Sequence, residues 1–420
     1  MEKQLTFAPR NHQLTNINVW TADSQWLVYD VRPSQSSFSG LTLERVSLSG
    51  EREILYTARD GAHVGVVTAS PTLPQRYLAI HGPEYPDLRG HYDFHHRRGV
   101  VVQAGIAQTL DACDITPPYT PGALRGGTHV HVYSPDGERI SFTYNDQVMH
   151  QLDIKRDLRN VGVAVPLKAV RPPKQHPREY DGSHFCVLVS QTPPEPRAGS
   201  DEIDRAYEEG WVGLHGYLRT DGSRQHSALA FIGDTRSAQG EKVAEVFIVD
   251  LPQADADFAI AGAQPLQGTP AALPAPPAGV MQRRLTFTHQ RRWPGLVNQP
   301  RHWLRSAPDG SEIAFLMKDD QGIVQLWGIA PSGGEPRQIT HSEWSMQSAF
   351  SWHPQGGKLA IICDNSVMQV EAESGEMQRL TPRSRLAPVG DAAVWSPDGR
   401  YIAFLRQVDG WQQIFIADGR

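Results

Sequence analysis

Cysteine is scarce: Cys113, Cys186 and Cys363 are the only three in 420 positions. They lie far apart and form no C-x-x-C pair, so no disulfide framework is expected, and the small odd number suits a reducing compartment. Long apolar runs are missing too. Nothing nears the roughly 18 residues of a membrane span, and Met1-Glu2-Lys3-Gln4-Leu5-Thr6-Phe7 lacks the apolar centre of a secretion signal. The expected location is cytoplasmic. There is no basic excess: 40 Lys and Arg face 46 Asp and Glu, a formal net charge of −6, which argues against a nucleic-acid partner. Several catalytic signatures are absent as well. No G-x-S-x-G elbow and no G-x-G-x-x-G fingerprint appear, and Gly356-Gly357-Lys358-Leu359 lacks the hydroxyl residue and the spacing of a P-loop.

What is there is a recurring turn. Trp395-Ser396-Pro397-Asp398-Gly399 precedes Tyr401-Ile402-Ala403-Phe404; Tyr133-Ser134-Pro135-Asp136-Gly137 precedes Ile140-Ser141-Phe142; Ser306-Ala307-Pro308-Asp309-Gly310 precedes Ile313-Ala314-Phe315. Weaker copies start near Trp20, Ala69 and Trp352, and a degraded one is Thr220-Asp221-Gly222. Proline presets φ, Asp bonds back to the backbone, and Gly accepts positive φ. Apolar runs on both sides make each copy a β-hairpin. The aromatic residue before the turn is expected to pack between neighbouring sheets.

A second mark closes the units: Arg284-Leu285-Thr286, Gln338-Ile339-Thr340 and Arg379-Leu380-Thr381. Lys3-Gln4-Leu5-Thr6-Phe7 is the same element at the other end of the chain, while the last unit stops one strand short at Gln413-Ile414-Phe415-Ile416. Residues 3–7 are therefore expected to supply the missing outer strand. The fold that follows is all-β: a seven-bladed propeller of four-stranded antiparallel blades closed by an N-terminal strand, with six blades as the alternative. Residues 1–420 form one domain. Within it, 171–215 reads as an insertion and candidate lid, with a short helix over the acidic run 201–210, and 261–279 as a flexible outer loop.

The turn and the strand after it resemble the repeat of TolB-type propellers, a class that includes the seven-bladed oligogalacturonate lyases. The whole chain, and Thr15-Asn16-Ile17-Asn18-Val19-Trp20 in particular, is similar to the enterobacterial YidR-type family. The resemblance is specific for fold and weak for function.

Propeller topology puts the loop leading into each inner strand and the loop between the second and third strands on one face. Counting five residues back from the Ser of each turn, or its equivalent, gives Asn16, Gly65, His129, His302, Ser348 and Asp391; Asn18 and His131 lie two residues beyond Asn16 and His129. The loops above add His91, His95, His96, Arg97 and Arg98, then Arg125, Arg291, Arg292 and Arg301. Arginine clusters suit carboxylate or phosphate ligands. Asn16, Asn18, Arg125, Arg291, Arg292, Arg301 and Asp391 are the candidate ligand-binding set.

The lyase resemblance implies more. That family holds a divalent metal such as manganese on three His and one Gln, and uses the metal with an Arg to acidify a uronate C–H for β-elimination. His129-Val130-His131 resembles its paired-His element, with His302 as third ligand and Gln299 as the amide. The position three before His129 is Gly126, where the lyase pattern has Gln. His95, His96 and Arg125 are the candidates for catalysis. Three functions stay open: a binding protein for a small acidic or sugar ligand or a protein partner, a metal-dependent lyase-like carbohydrate enzyme, and a pure interaction scaffold. None needs nucleic acid or a membrane.

Overall fold

A computed structural model describes residues 2–419. The strands group into seven antiparallel sheets around one axis, with an extra two-stranded hairpin at Tyr217–Leu218 and Arg224–Gln225. Blade 3 shows the pattern: inner strand Gly126–Tyr133, then Ile140–Asp146, Asn160–Val165 and outer strand Phe185–Leu188. Blade 1 is the irregular one. Its sheet has three strands, Trp26–Asp30, Thr42–Ser47 and Arg52–Thr57, and its inner position is filled by chain bridging at Gln13–Asp30 and Trp20–Leu27.

The ring closes as the chain ends require. Glu2–Gln4 pairs with Trp411–Asp418 in the register Glu2–Ala417, Lys3–Ile416 and Gln4–Phe415, and the Leu5 amide continues to the Ile414 carbonyl at 2.8 Å. Each gap between adjacent blades carries its own apolar cluster. Trp20, Leu27, Val394, Leu405 and Ile414 fill the gap between blades 1 and 7, and Phe185, Val187, Phe231 and Phe247 fill that between 3 and 4.

The turn aromatics do pack between sheets, and three tryptophans also donate across them. Trp20 Nε1 reaches the Val394 carbonyl (3.0 Å), Trp211 that of Val132 (3.1 Å) and Trp352 that of Arg305 (2.9 Å). Each joins a blade to the one before it. The Ser of the turn caps the hairpin: Ser134 Oγ donates to Asp136 (2.5 Å) and accepts from the Arg139 amide (2.9 Å).

One local expectation is corrected. Residues 201–210 are no helix: Ala206–Trp211 is the inner strand of blade 4, paired with Ala228–Arg236. Its charges mislead because Glu208 and Glu209 are buried, not spread on a solvated face. Segment 261–279 folds back through the bridges Ala261–Pro277 and Thr269–Ala272, and its carbonyls of Thr269 and Ala272 accept from Arg125 at 2.6 and 3.0 Å. The three cysteines are buried and unpaired.

Candidate functional site

The Ser-Pro-Asp turns gather at one mouth of the channel. There Pro71, Pro135, Pro308, Pro354 and Pro397 surround a depression of about 310 Å³ floored by Trp20, Trp211, Trp352 and Trp395. Asn18 lines this mouth, so it belongs opposite the face to which the counting rule assigns it. Arg305, a buried residue, runs from blade 5 to the Asn16 amide oxygen of blade 1 and crosses the channel. Burial holds its guanidinium down to about 10, against the pull of Glu209 and Glu208.

The other mouth is cationic. Arg97 closes the long loop of blade 2, Arg159 closes that of blade 3, Arg301 leads into blade 5, and His129 lies on the inner strand of blade 3. Gly127 makes this meeting possible: a Cβ there would stand 2.0 Å from the Phe94 carbonyl and 3.1 Å from Arg97 Cγ. Arg97 is almost wholly buried, yet among the described residues its one side-chain hydrogen bond is a long one to Tyr92 Oη (3.3 Å), and its Nε and Nη2 have no partner. Burial lowers its pKa; Tyr92 and Asp93 oppose this, and the charge of Arg301 adds a smaller push downward. Arg159 is brought down to about 10 by burial and by Arg97 and Arg205, and its Nε reaches Asn145 Oδ1 at 3.3 Å. Burial, followed by the charges of Arg97, Arg159 and Arg301, pushes His129 well below the usual imidazole range, and its Nδ1 is buried without a partner. His129 is therefore neutral at pH 7.

Negative charge at this mouth is already spoken for. Glu208 accepts from Arg301 Nε at 2.8 Å, while that guanidinium stacks 4.4 Å from Trp303. Asp30 is held by Arg32 at 2.5 Å and also accepts the Val66 amide. Asp391 is raised by burial, which Arg301 and Arg32 oppose. Arg97 and Arg159 thus lack a carboxylate of their own.

Outside Arg159 sits a second group. His95 Nε2 and His150 Nδ1 both approach Asp157 Oδ2, at 2.8 and 3.2 Å, and the two rings lie 4.2 Å apart. Asn145 joins the groups: its Nδ2 donates to Asp157 Oδ1 (2.9 Å) and its Oδ1 accepts from Arg159. Burial would lower His95, but Asp157 and Asp93 raise it to about 9. Burial would raise Asp93, but His95 brings it down to about 2.

The remaining sequence candidates have other employment. Arg125 is fully buried, gives Nε and Nη2 to Asp146 Oδ2 at 3.0 and 2.7 Å, and covers Tyr119. No donor is aimed at a ligand. Its effect is indirect, since Asp146 caps the helix Gln147–Leu152 that carries His150 by accepting the Met149 amide at 2.8 Å. His302 Nε2 accepts the Leu316 amide (3.1 Å), which leaves Nδ1 as the protonated nitrogen facing the Pro300 carbonyl (3.2 Å). His131 turns its Nε2 to Thr128 Oγ1 (2.9 Å) and lies against Gly99. Among the described residues, His95, His150 and Asp157 are the only three His, Cys, Asp or Glu side chains whose ligand atoms come mutually within 4.8 Å; His129, His131 and His302 do not. Gln299 is exposed. Arg291 and Arg292 bond to the Lys318 and Asp320 carbonyls of blade 5 and lie over Trp327 and Trp293. His96 is tied to the His91 carbonyl at 2.9 Å.

Sequence reasoning missed Arg159, His150, Asp157 and Glu208. The rule that singled out 91–98, the loop between second and third strands, singles out 147–159 when applied to blade 3. Glu208 was hidden inside an acidic run.

Residues 63–180 match a family described as a protein of unknown function, DUF3748. The chain is 61% identical to the uncharacterized protein YidR of Escherichia coli (strain K12) over 97% of its own length and 96% of that protein's. Among solved structures it resembles an oligogalacturonate lyase in complex with manganese, at 12% identity and a TM-score of 0.55 over 100% of this chain and 93% of that one. The oligogalacturonate lyase of Vibrio parahaemolyticus matches at 10% and 0.57, over 99% and 93%. The β-propeller domain of the Trilobed protease of Pyrococcus furiosus matches at 9% and 0.52, over 98% and 96%. At these identities the structural likeness is one of fold.

Proposed function

This chain belongs to the family of the Escherichia coli protein YidR, and we propose that its propeller is a binding protein for a small carboxylate-bearing ligand, a sugar acid fitting best. One observation carries the reading: Arg97 is buried beside neutral His129 with two guanidinium nitrogens that no group of the described residues satisfies. A buried cation without a counter-charge is costly. A carboxylate bridging Arg97 and Arg159 would offset that cost through charge-assisted bonds. Tyr92, stacked on Phe38 at 4.1 Å, and Trp303 add the aromatic and hydroxyl surface that a sugar ring uses.

The lyase reading has the fold on its side and the metal set against it. The set implied by resemblance needs lone pairs from three imidazoles on one ion, but His302 spends Nε2 on a backbone amide and His131 faces Gly99. These residues do not fit the ion. A scaffold that uses the blade edges stays open, but a plug formed by the acidic segment has no basis, since 206–211 is an inner strand.

Calorimetric titration of the full chain with digalacturonate, and with galactose as neutral control, tests the proposal. Expected is saturable binding of the acid alone, weakened by salt, and at least ~10-fold weaker in Arg97→Met and Arg159→Met, the loss of about 1.4 kcal/mol of charge-assisted bonding. Equal binding of both sugars, no binding, or two unaffected variants would overturn it. Arg159 is only partly buried, so that variant remains informative should Arg97→Met misfold.

A further inference from the structure

The group at His95, His150 and Asp157 has the composition and surroundings of a metal centre in positions different from those the sequence resemblance implies. Three elements build it. His95 comes from the loop of blade 2 that joins its second and third strands, His150 from the capped helix Gln147–Leu152, and Asp157 from the turn after Ile154–Arg156. His95 and Asp157 are 62 residues apart, yet their ligand atoms stand 2.8 Å from each other.

The partners of the non-converging atoms matter most. A ligating imidazole normally gives its other nitrogen to a carboxylate or carbonyl, and a ligating carboxylate is itself hydrogen-bonded. Here His95 turns Nδ1 towards Asp93 Oδ1 at 3.5 Å, and that carboxylate is fixed by the His95 amide at 2.7 Å. Asp157 Oδ1 is held by Asn145 Nδ2, leaving Oδ2 for the centre. Asp146, locked by buried Arg125, sets the helix that presents His150. The interior partners are thus in place around three atoms that all point at one spot. Ligands of a four-coordinate ion at about 2.0–2.1 Å stand roughly 3.3–3.5 Å apart, so the two imidazole–carboxylate pairs, at 2.8 and 3.2 Å, need open by only about half an ångström.

We propose that His95 Nε2, His150 Nδ1 and Asp157 Oδ2 bind one divalent transition-metal ion. Two imidazoles and one carboxylate suit zinc, manganese, iron or cobalt, and are poor company for calcium or magnesium, which prefer all-oxygen sites. Three protein ligands leave a coordination position open. His150 is half exposed, so the ion has a path from solvent. Asn145 bonds both to Asp157 and to Arg159, so the centre adjoins the cationic channel mouth. The inference stands without a carboxylate ligand at that mouth and does not rest on it.

The full chain, stripped with a chelator, is titrated with Zn²⁺ alone, Mn²⁺ alone and Ca²⁺ alone by calorimetry, and Co²⁺ is followed by its visible d–d absorption. Expected is one equivalent of a transition metal per chain, no Ca²⁺ uptake, and at least tenfold weaker binding in His150→Gln and Asp157→Asn, with His302→Ala unchanged. No stoichiometric uptake would overturn the proposal. So would uptake that survives both variants, or that is abolished by His129→Ala instead, which would put the ion at the channel mouth. His150 lies at the surface, so His150→Gln decides the matter if Asp157→Asn does not fold.

Discussion

Asp111 is a buried acid with half its hydrogen-bonding capacity unused. Oδ1 accepts the Gly99 amide at 2.6 Å and Oδ2 has no partner. Burial raises its pKa from 3.8 to about 7, with the Gly99 bond and Arg98 opposing. The native state therefore keeps a proton that the unfolded chain has released. Its contribution to stability is full below about pH 4 and is lost as pH rises to about 7. Asp111→Asn fixes the neutral form. The variant should match the parent in thermal denaturation near pH 4 and exceed it at pH 8, by on the order of 1–3 kcal/mol; parallel pH profiles would refute this. His302 shows at the same scale why residue type alone misleads. A histidine at an inner strand invites a ligand reading, but its neighbour in role is Ser348, whose Oγ takes the Ile362 amide at 2.8 Å just as His302 takes that of Leu316. Both mend the hydrogen bonding of their own blade.

At the scale of elements, three successive inner strands break register at equivalent places. Val66, Val130 and Glu208 have φ of 59°, 49° and 55°, and pairing shifts there in blades 2, 3 and 4. Two of the three are valines, for which positive φ is strained. Such bulges re-aim side chains: around Val130 they leave His131 against Gly99 and His129 among arginines. A count along the strand assumes regular alternation and cannot anticipate this. The tryptophans of the turns were legible as packing groups, because an aromatic before Ser-Pro-Asp has only the neighbouring sheet to cover it. Their donor role was not, since the acceptor lies on another blade. Trp352→Phe keeps the ring and deletes the bond to the Arg305 carbonyl. A loss of about 1 kcal/mol in denaturant unfolding is expected, and an unchanged midpoint would show that the bond contributes nothing net.

At the scale of the whole molecule, closure rests on the pairing of Glu2–Gln4 with the last strand, on buried Leu5, and on the Glu2–Arg406 ion pair at 2.9 Å. Phe7 is exposed and adds little. Deleting residues 2–7 unpairs Trp411–Asp418 along one edge and exposes Leu5's partners. Burial of that leucine alone is worth about 1.5–3 kcal/mol, and a free edge invites association. The truncated chain should melt several degrees lower and elute as larger species on size exclusion; an unchanged melting point and a monomer peak would mean the ring is closed by blade packing alone.

The number of blades, their order and the latch were determined by the sequence itself. They depend on turn chemistry and strand alternation, which are local, repeat along the chain, and survive insertions between copies. The meeting of Arg97, Arg159, Arg301 and His129, and of His95 with His150 and Asp157, was decided only in three dimensions. These contacts join loops of different blades, and their geometry depends on loop length, on the Gly127 approach and on inner-strand bulges. No periodic signal records any of those, because each is a single local exception whose effect appears only where two blades touch.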